Sequence, residues 1–164
     1  MGTLYVAVLV LAALGSGLMA GTFFAFSNFV MAALARIAPA EGARAMQAIN
    51  ITVLNPLFLS IFMGTGVVSV LAIVVALWRW SGPGTACGLA GGVIYLAGSI
   101  LVTMRGNVPL NNALTALDAD AAESARRWSD YVRRWTRWNH LRTVACVAAM
   151  VLFVVALSMT DAKP

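Results

Sequence analysis

Residues 1–35, MGTLYVAVLVLAALGSGLMAGTFFAFSNFVMAALA, contain no charged side chain. A helix needs about 20 apolar residues to cross a hydrocarbon core about 30 Å thick, so this stretch is long enough to span a membrane. Three further charge-free runs follow, at 45–78, 80–104 and 143–160. Because helices satisfy their own backbone polar groups in lipid, the four runs predict an all-α fold, an integral membrane four-helix bundle.

The composition agrees with a membrane protein. Of the 164 residues, 61% are hydrophobic and 10% are charged, whereas soluble domains average about 45–50% and about 25%. Intrinsic disorder is excluded because it requires low hydrophobicity. We therefore predict a single transmembrane domain, 1–164, with membrane-spanning helices near 4–34, 57–78, 84–104 and 142–160.

The basic residues predict an orientation in the membrane. Four spans place loops 35–56 and 105–141 on one side of the bilayer. That side carries nine of the eleven basic residues: Arg36, Arg44, Arg105, Arg126, Arg127, Arg133, Arg134, Arg137 and Arg142. The positive-inside rule makes the protein multi-pass with these loops in the cytoplasm and both termini outside. The basic charge is thus explained by the lipid bilayer, and no nucleic acid partner is expected.

Small residues recur every four positions on two of the predicted helices. They are Ala13, Gly17, Gly21 and Ala25 in the first span, and Gly84, Gly88 and Gly92 in the third. Such stripes let helices approach closely in lipid. Packing within the bundle is the favoured explanation, and a face for a homo-oligomer is the alternative.

The two longer loops contain helix signals. Pro39 suits a first helical position, and Asn55 followed by Pro56 is typical of a cap that starts the second span. In the second long loop, Gly106 and Pro109 are expected to break the third span near its end. The amides of Asn107 and Asn111 would then lie near the membrane surface.

Residues 124–142 predict a cytoplasmic amphipathic helix that runs into the last span. At about 100° per residue, six side chains share one stripe about 100° wide. They are Trp128, Tyr131, Trp135, Trp138, Asn139 and Arg142. His140, the single histidine, falls on the opposite face with Arg126, Arg133 and Arg137. We therefore expect Asn139 and Arg142, rather than His140, to face the bundle.

Several classes of site are excluded by residues that the chain lacks. One histidine cannot supply two haem ligands, and a carboxylate di-iron site needs several Glu and His residues. No phosphate-binding glycine loop or dinucleotide-binding motif is present. We therefore expect no metal and no other cofactor.

Four blocks of sequence resemble the anthrone oxygenase-like membrane proteins. They are AGTFFAFSN at 20–28, MQAIN at 46–50, NVPLN at 107–111 and WTRWNHLR at 135–142. The third and fourth blocks, at 107–111 and 135–142, are the more specific ones. The resemblance implies a four-helix membrane protein that oxidises flat polyketide anthrones to anthraquinones with O₂ and without an evident cofactor.

The chemistry of an anthrone assigns roles to these residues. Its methylene is acidic because the anion is delocalised onto an oxygen, and that anion reduces O₂ directly. Donors to the developing oxyanion are required, and the predicted catalytic residues are Asn107, Asn111, Asn139 and Arg142. The predicted substrate-binding residues are Asn50, Tyr131, Trp135 and Trp138. No general base is assigned, and the expected partners are a small apolar aromatic substrate and O₂.

Two alternatives remain at this stage. The polar motif can belong to a non-catalytic membrane subunit or scaffold, in which asparagine and arginine only pack helices or dock a partner. A proton-coupled transporter is disfavoured, because no charge-free run contains an Asp or Glu. An open pocket around the polar side chains would favour the enzyme, whereas mutual satisfaction without a void would favour the scaffold.

Overall fold

The structure is a computed structural model that describes residues 2–119 and 123–160. Within these ranges it is all-α, with five helices. Helix α1 is Thr3–Leu34, α2 is Pro39–Thr52 and α3 is Pro56–Trp78. Helix α4 is Pro83–Thr115, and α5 is Ser124–Thr160. All except α2 are long and apolar enough to cross a membrane, so the chain is a membrane protein.

The four long helices form a bundle with the cyclic order α1, α3, α4, α5. Helix α5 packs against α1 and α4, and α3 packs against the same two helices from the other side. Successive long helices run in opposite directions. The end of the bundle that carries α2 also contains the end of α4 and the start of α5. We call it the α2 end, and the opposite one the far end.

The predicted starts of α2 and α3 are confirmed. Pro39 and Pro56 each lie in the first turn of their helix, where a missing N–H breaks no helical hydrogen bond. The side-chain oxygen of Asn55 accepts a hydrogen bond of 3.0 Å from the Phe58 N–H. This bond caps α3 as the sequence predicted.

The predicted break in the third span is wrong. Helix α4 continues past Gly106 and Pro109 to Thr115. It does so by widening into π-helical turns at Leu96–Leu101 and Thr103–Asn107, before a last α-helical segment, Val108–Thr115. Pro109 is the second residue of this last segment, a position in the first turn where its missing N–H is tolerated. The longer helix carries Asn107 and Asn111 on a regular scaffold.

Most of the striped glycines pack inside the bundle. A Cβ atom at Gly17 would lie 3.0 Å from the Met150 sulfur, and one at Gly84 would lie 3.1 Å from Met159. Gly88 lies directly under the Tyr5 hydroxyl group. Gly21 is the exception, with open space around it. Close packing between helices therefore accounts for most of the pattern.

Candidate functional site

Helix α5 turns one row of large side chains toward the bundle. Trp128, Tyr131, Trp135, Asn139 and Arg142 are all buried. They recur every three or four residues, the spacing of one helix face. On the opposite face, His140 is exposed together with the nearby arginines Arg126, Arg133 and Arg137. The helix thus separates the histidine from the polar residues that face inward.

Arg142 is a buried cation in an aromatic setting. Its side chain is 6% exposed, and its Nη2 donates to Asn139 Oδ1 at 2.6 Å. Its Nη1 donates to Thr103 Oγ1 at 3.2 Å, which links α5 to α4. The guanidinium carbon lies 4.2 Å from the centre of the Phe23 ring, a favourable position for a cation over an aromatic face. The buried Nε has no hydrogen-bond partner.

Asn139 holds this arginine in place. Its Nδ2 donates to the Phe23 carbonyl oxygen at 2.6 Å and to Ser27 Oγ at 2.7 Å. Phe23 precedes the π-helical turn Phe26–Val30 and Ser27 lies within it, and a π-helical turn shifts the carbonyl bonding of a helix. With its oxygen bound to Arg142, the Asn139 amide joins α1 to α5 and is fully buried behind the arginine.

Asn111 organises the aromatic side chains of α5. Its Oδ1 accepts hydrogen bonds from the Trp135 indole N–H at 2.8 Å and from the Tyr131 hydroxyl at 3.0 Å. The Tyr131 ring in turn stacks on Trp128, with 5.6 Å between ring centres. These bonds orient the Trp135 indole and connect the end of α4 to α5.

Asn107 is almost fully buried but only partly satisfied. The side chain is 1% exposed, and its Nδ2 donates to the Trp135 carbonyl oxygen at 3.2 Å. Its Oδ1 is buried without a hydrogen-bond partner. Leaving such an acceptor unsatisfied in a dry interior costs about 1–3 kcal/mol.

Helix α2 contributes Asn50 from the other side. Gln47 anchors the helix, because its Nε2 donates to the Leu114 and Leu117 carbonyl oxygens at 2.8 and 3.1 Å. Met46 fills the core beneath. One turn after Met46, Asn50 presents a buried Nδ2 that has no hydrogen-bond partner. The MQAIN block is thus an anchored helix that delivers one amide donor.

These side chains surround a cavity of about 390 Å³ at the α2 end. Its polar lining comes from Thr22, Asn50, Thr103, Asn107, Asn111, Asn112, Thr115 and Arg142. The remaining wall is mainly apolar and includes five aromatic rings: Phe23, Phe26, Phe58, Phe62 and Trp135. The volume lies within the range of about 300–1,000 Å³ that is typical of small-molecule sites.

The structure separates three predicted site residues from this cavity. Asn139 lies behind Arg142, and Tyr131 reaches the site only through its bond to Asn111. Trp138 is 40% exposed and does not line the cavity. Its indole lies against Gly106, where an added Cβ atom would come within 2.6 Å. The sequence analysis expected Trp138 in the cavity wall, and this expectation is wrong. Because Gly106 has no side chain, the Trp138 indole packs against it instead.

Other cavity residues were missed by the sequence analysis. Thr103 precedes the NVPLN block and carries a hydroxyl that contacts Arg142. Phe58 and Phe62 lie on α3, whose apolar residues surround the helix, so no periodic signal distinguishes the side that faces the cavity. Ser27, in the AGTFFAFSN block, does not line the cavity, but its hydroxyl accepts a hydrogen bond from Asn139. Among the described residues, no group of three or more His, Cys, Asp or Glu could hold a metal ion.

The fold and the cavity define a four-helix membrane protein with a ligand-sized site between its helices. The family model for anthrone oxygenases matches residues 57–152, and the chain belongs to this family. The match covers α3, α4 and most of α5, including Asn107 and Arg142. Neither the curated proteins nor the solved structures contain a match to the chain.

Proposed function

We propose that this protein is a membrane-embedded, cofactor-independent oxygenase that oxidises a flat, anthrone-like aromatic molecule with O₂. The observation that carries the proposal is the cavity with its unpartnered polar atoms. Arg142 Nε, Asn50 Nδ2 and Asn107 Oδ1 belong to cavity-lining residues and are buried without a hydrogen-bond partner, and Asn50 lies close to the Tyr131 hydroxyl. Aromatic rings line the same space, so a flat ring system with a polar edge is its natural complement.

Charge stabilisation is the main task of these residues. When an anthrone methylene loses a proton, the negative charge collects on the carbonyl oxygen. A guanidinium and an amide donor held in a dry cavity stabilise such an oxyanion by about 3–4 kcal/mol per well-placed donor. Because Asn139 and Thr103 already hold Arg142, little reorganisation is needed when the charge develops.

The reaction balances with O₂ alone. The substrate anion gives electrons to O₂, a bond forms between the methylene carbon and one oxygen atom, and the resulting peroxide loses water. The carbon loses two hydrogen atoms and becomes a carbonyl. One oxygen atom of O₂ ends in the anthraquinone and the other in water. No residue is assigned as the general base, since no carboxylate, imidazole or primary amine lines the cavity among the described residues.

An orientation in the membrane completes the proposal. The arginines of the segments around α2 and at the start of α5 lie at the α2 end, so the positive-inside rule places this end in the cytoplasm. Residues 124–141 are then the cytoplasmic amphipathic part of α5. Their exposed face carries Arg127 paired with Glu123, and Arg133 paired with Asp130.

The direct experiment uses the purified chain in lipid nanodiscs with anthrone and O₂. We expect anthraquinone to form faster than in empty nanodiscs, which report autoxidation, and we expect the excess to vanish under argon. A rate equal to that of empty nanodiscs, from protein that binds no anthrone, would favour the non-catalytic scaffold. In that case the bonds of Asn139 and Asn111 would serve only to hold the helices together.

A further inference from the structure

The cavity wall includes side chains that are also exposed on the outside of the bundle. Four of them are apolar: Ile51, Leu54, Met63 and Val108. They belong to the end of α2, the link to α3, the second turn of α3, and the last segment of α4. Arg142 is the one charged residue among the described residues that line the cavity. The outward part of the wall is therefore a largely apolar opening.

Residues of both α3 and α4 border this opening. Nearer the far end the two helices touch: a Cβ atom at Gly92 would lie 2.8 Å from the Ser69 carbonyl oxygen. One at Gly66 would lie 3.6 Å from the Ile100 side chain. Closer to the α2 end, residues of both helices line the cavity, among them Met63 of α3 and Val108 of α4. Both helices are long and apolar enough to cross a membrane, and the exposed side chains that they contribute to this gap, Met63 and Val108, are apolar.

The neighbouring side of the cavity is closed by α2. The two hydrogen bonds from Gln47 fasten α2 to the end of α4. By contrast, the side-chain bonds of Asn55 at the start of α3 are local: its Nδ2 donates to the Thr52 carbonyl oxygen, and its Oδ1 accepts from the Phe58 N–H. The polar rim at Asn112 and Thr115 is the competing route, although the Thr115 hydroxyl bonds to its own helix at Asn111.

From these observations we infer that the ligand enters the cavity sideways from the hydrocarbon, through the gap between α3 and α4. The ligand class is then a membrane-dissolved flat aromatic molecule that enters with its polar edge leading toward Arg142 and Asn107. The inference rests on the proposed function for the identity of the ligand. The route itself concerns only binding and is tested without turnover.

Two tryptophan substitutions on the same helix test the route. Met63 and Val67 are one turn apart on α3 and are 50% and 62% exposed, but only Met63 lines the cavity. Binding of 1,8-dihydroxyanthraquinone to the chain in nanodiscs is followed by stopped-flow fluorescence. We expect Met63→Trp to slow association about tenfold, with dissociation slowed in parallel, because an indole at the opening obstructs both directions. Val67→Trp should behave as wild type.

A second pair of tryptophan substitutions distinguishes entry through the gap between α3 and α4 from entry at the polar rim. Val108→Trp narrows the same gap from α4 and should slow association more than Asn112→Trp at the polar rim does. The inference is overturned if neither Met63→Trp nor Val108→Trp slows association, if Asn112→Trp alone does, or if the wild-type chain does not bind the dye. Dye binding with this pattern but without anthrone oxidation would contradict the proposed function and leave the route standing.

Discussion

The two ends of this bundle are built from similar apolar helices but differ in the size and polarity of the side chains between them. At the far end, glycines bring helices together: Gly84 meets Met159, Gly88 meets Tyr5, and Gly91 meets Phe153. At the α2 end, Trp135 and a set of phenylalanines hold the helices apart around a cavity. The comparison teaches that small residues close one end, while large aromatic residues and amides leave room for a ligand at the other.

The polar side-chain groups at the α2 end fall into two sets, those bonded to other side chains or to the backbone and those without a hydrogen-bond partner. Asn139 and the Asn111 oxygen are engaged by other side chains and hold helices together. Asn107 Oδ1, Asn50 Nδ2 and Arg142 Nε are buried without a hydrogen-bond partner. The first group therefore holds helices together, and in the proposed function the second group binds the ligand.

Removing the buried cation should have the largest effect. We expect Arg142→Ala to lower the rate of anthrone oxidation about 100- to 1,000-fold, the loss typical of a missing oxyanion donor. The measurement is the initial rate in nanodiscs after subtraction of autoxidation. A rate within threefold of wild type, in protein that elutes normally on size exclusion, would contradict the role of Arg142.

Asn107→Leu should reduce activity by only about tenfold, because Oδ1 is an acceptor that can bind a substrate hydroxyl but cannot stabilise an oxyanion. The side chain keeps its approximate size and gives up one bond, to the Trp135 carbonyl oxygen. Thermal unfolding in detergent should therefore shift little. A large drop in the unfolding temperature would instead place Asn107 with the residues that hold the helices together.

Asn139→Leu should lower stability, because Asn139 belongs to the polar groups that hold helices together. The change leaves the Phe23 carbonyl oxygen, the Ser27 hydroxyl and one Arg142 nitrogen without this partner. We expect a loss of about 1–3 kcal/mol in the free energy of unfolding. The measurement is reversible unfolding in mixed micelles. Unchanged stability would show that the amide is not the support that its contacts indicate.

At the far end, Gly88→Ala should affect stability alone. The added methyl group would overlap the Tyr5 hydroxyl, which must then move. Overpacking of this kind costs about 1–3 kcal/mol. Because Gly88 does not line the cavity, the rate per folded molecule should match wild type. A selective loss of activity would mean that the two ends are coupled.

Much of this architecture could be predicted from the sequence, because absent charges and helical periodicity are strong local signals. The four long helices, the cap at Asn55 and the inward face of α5 followed from such patterns. The continuation of α4 through Gly106 and Pro109 did not, since π-helical turns absorb the proline without a distinctive sequence pattern.

The site was partly predictable for a related reason. The helical periodicity of residues 124–142 predicted that Arg142 and Trp135 face the bundle. Trp138 lies at the edge of the same stripe, where the contact with Gly106 decides the direction of its side chain. Phe58 and Phe62 line the cavity from a helix that is apolar all round. For such a helix only packing against its neighbours determines which side faces the site.

The central claim is that the α2 end binds an aromatic substrate and that Arg142 stabilises its oxyanion. The most direct test is turnover of anthrone with ¹⁸O₂ by wild type, Arg142→Lys and His140→Ala at equal concentrations of folded protein. We predict one labelled oxygen in the anthraquinone, a wild-type rate for His140→Ala, and a rate near autoxidation for Arg142→Lys, since an ammonium cannot reproduce the forked donors of the guanidinium. Full activity in Arg142→Lys together with inactivity of His140→Ala would contradict the account.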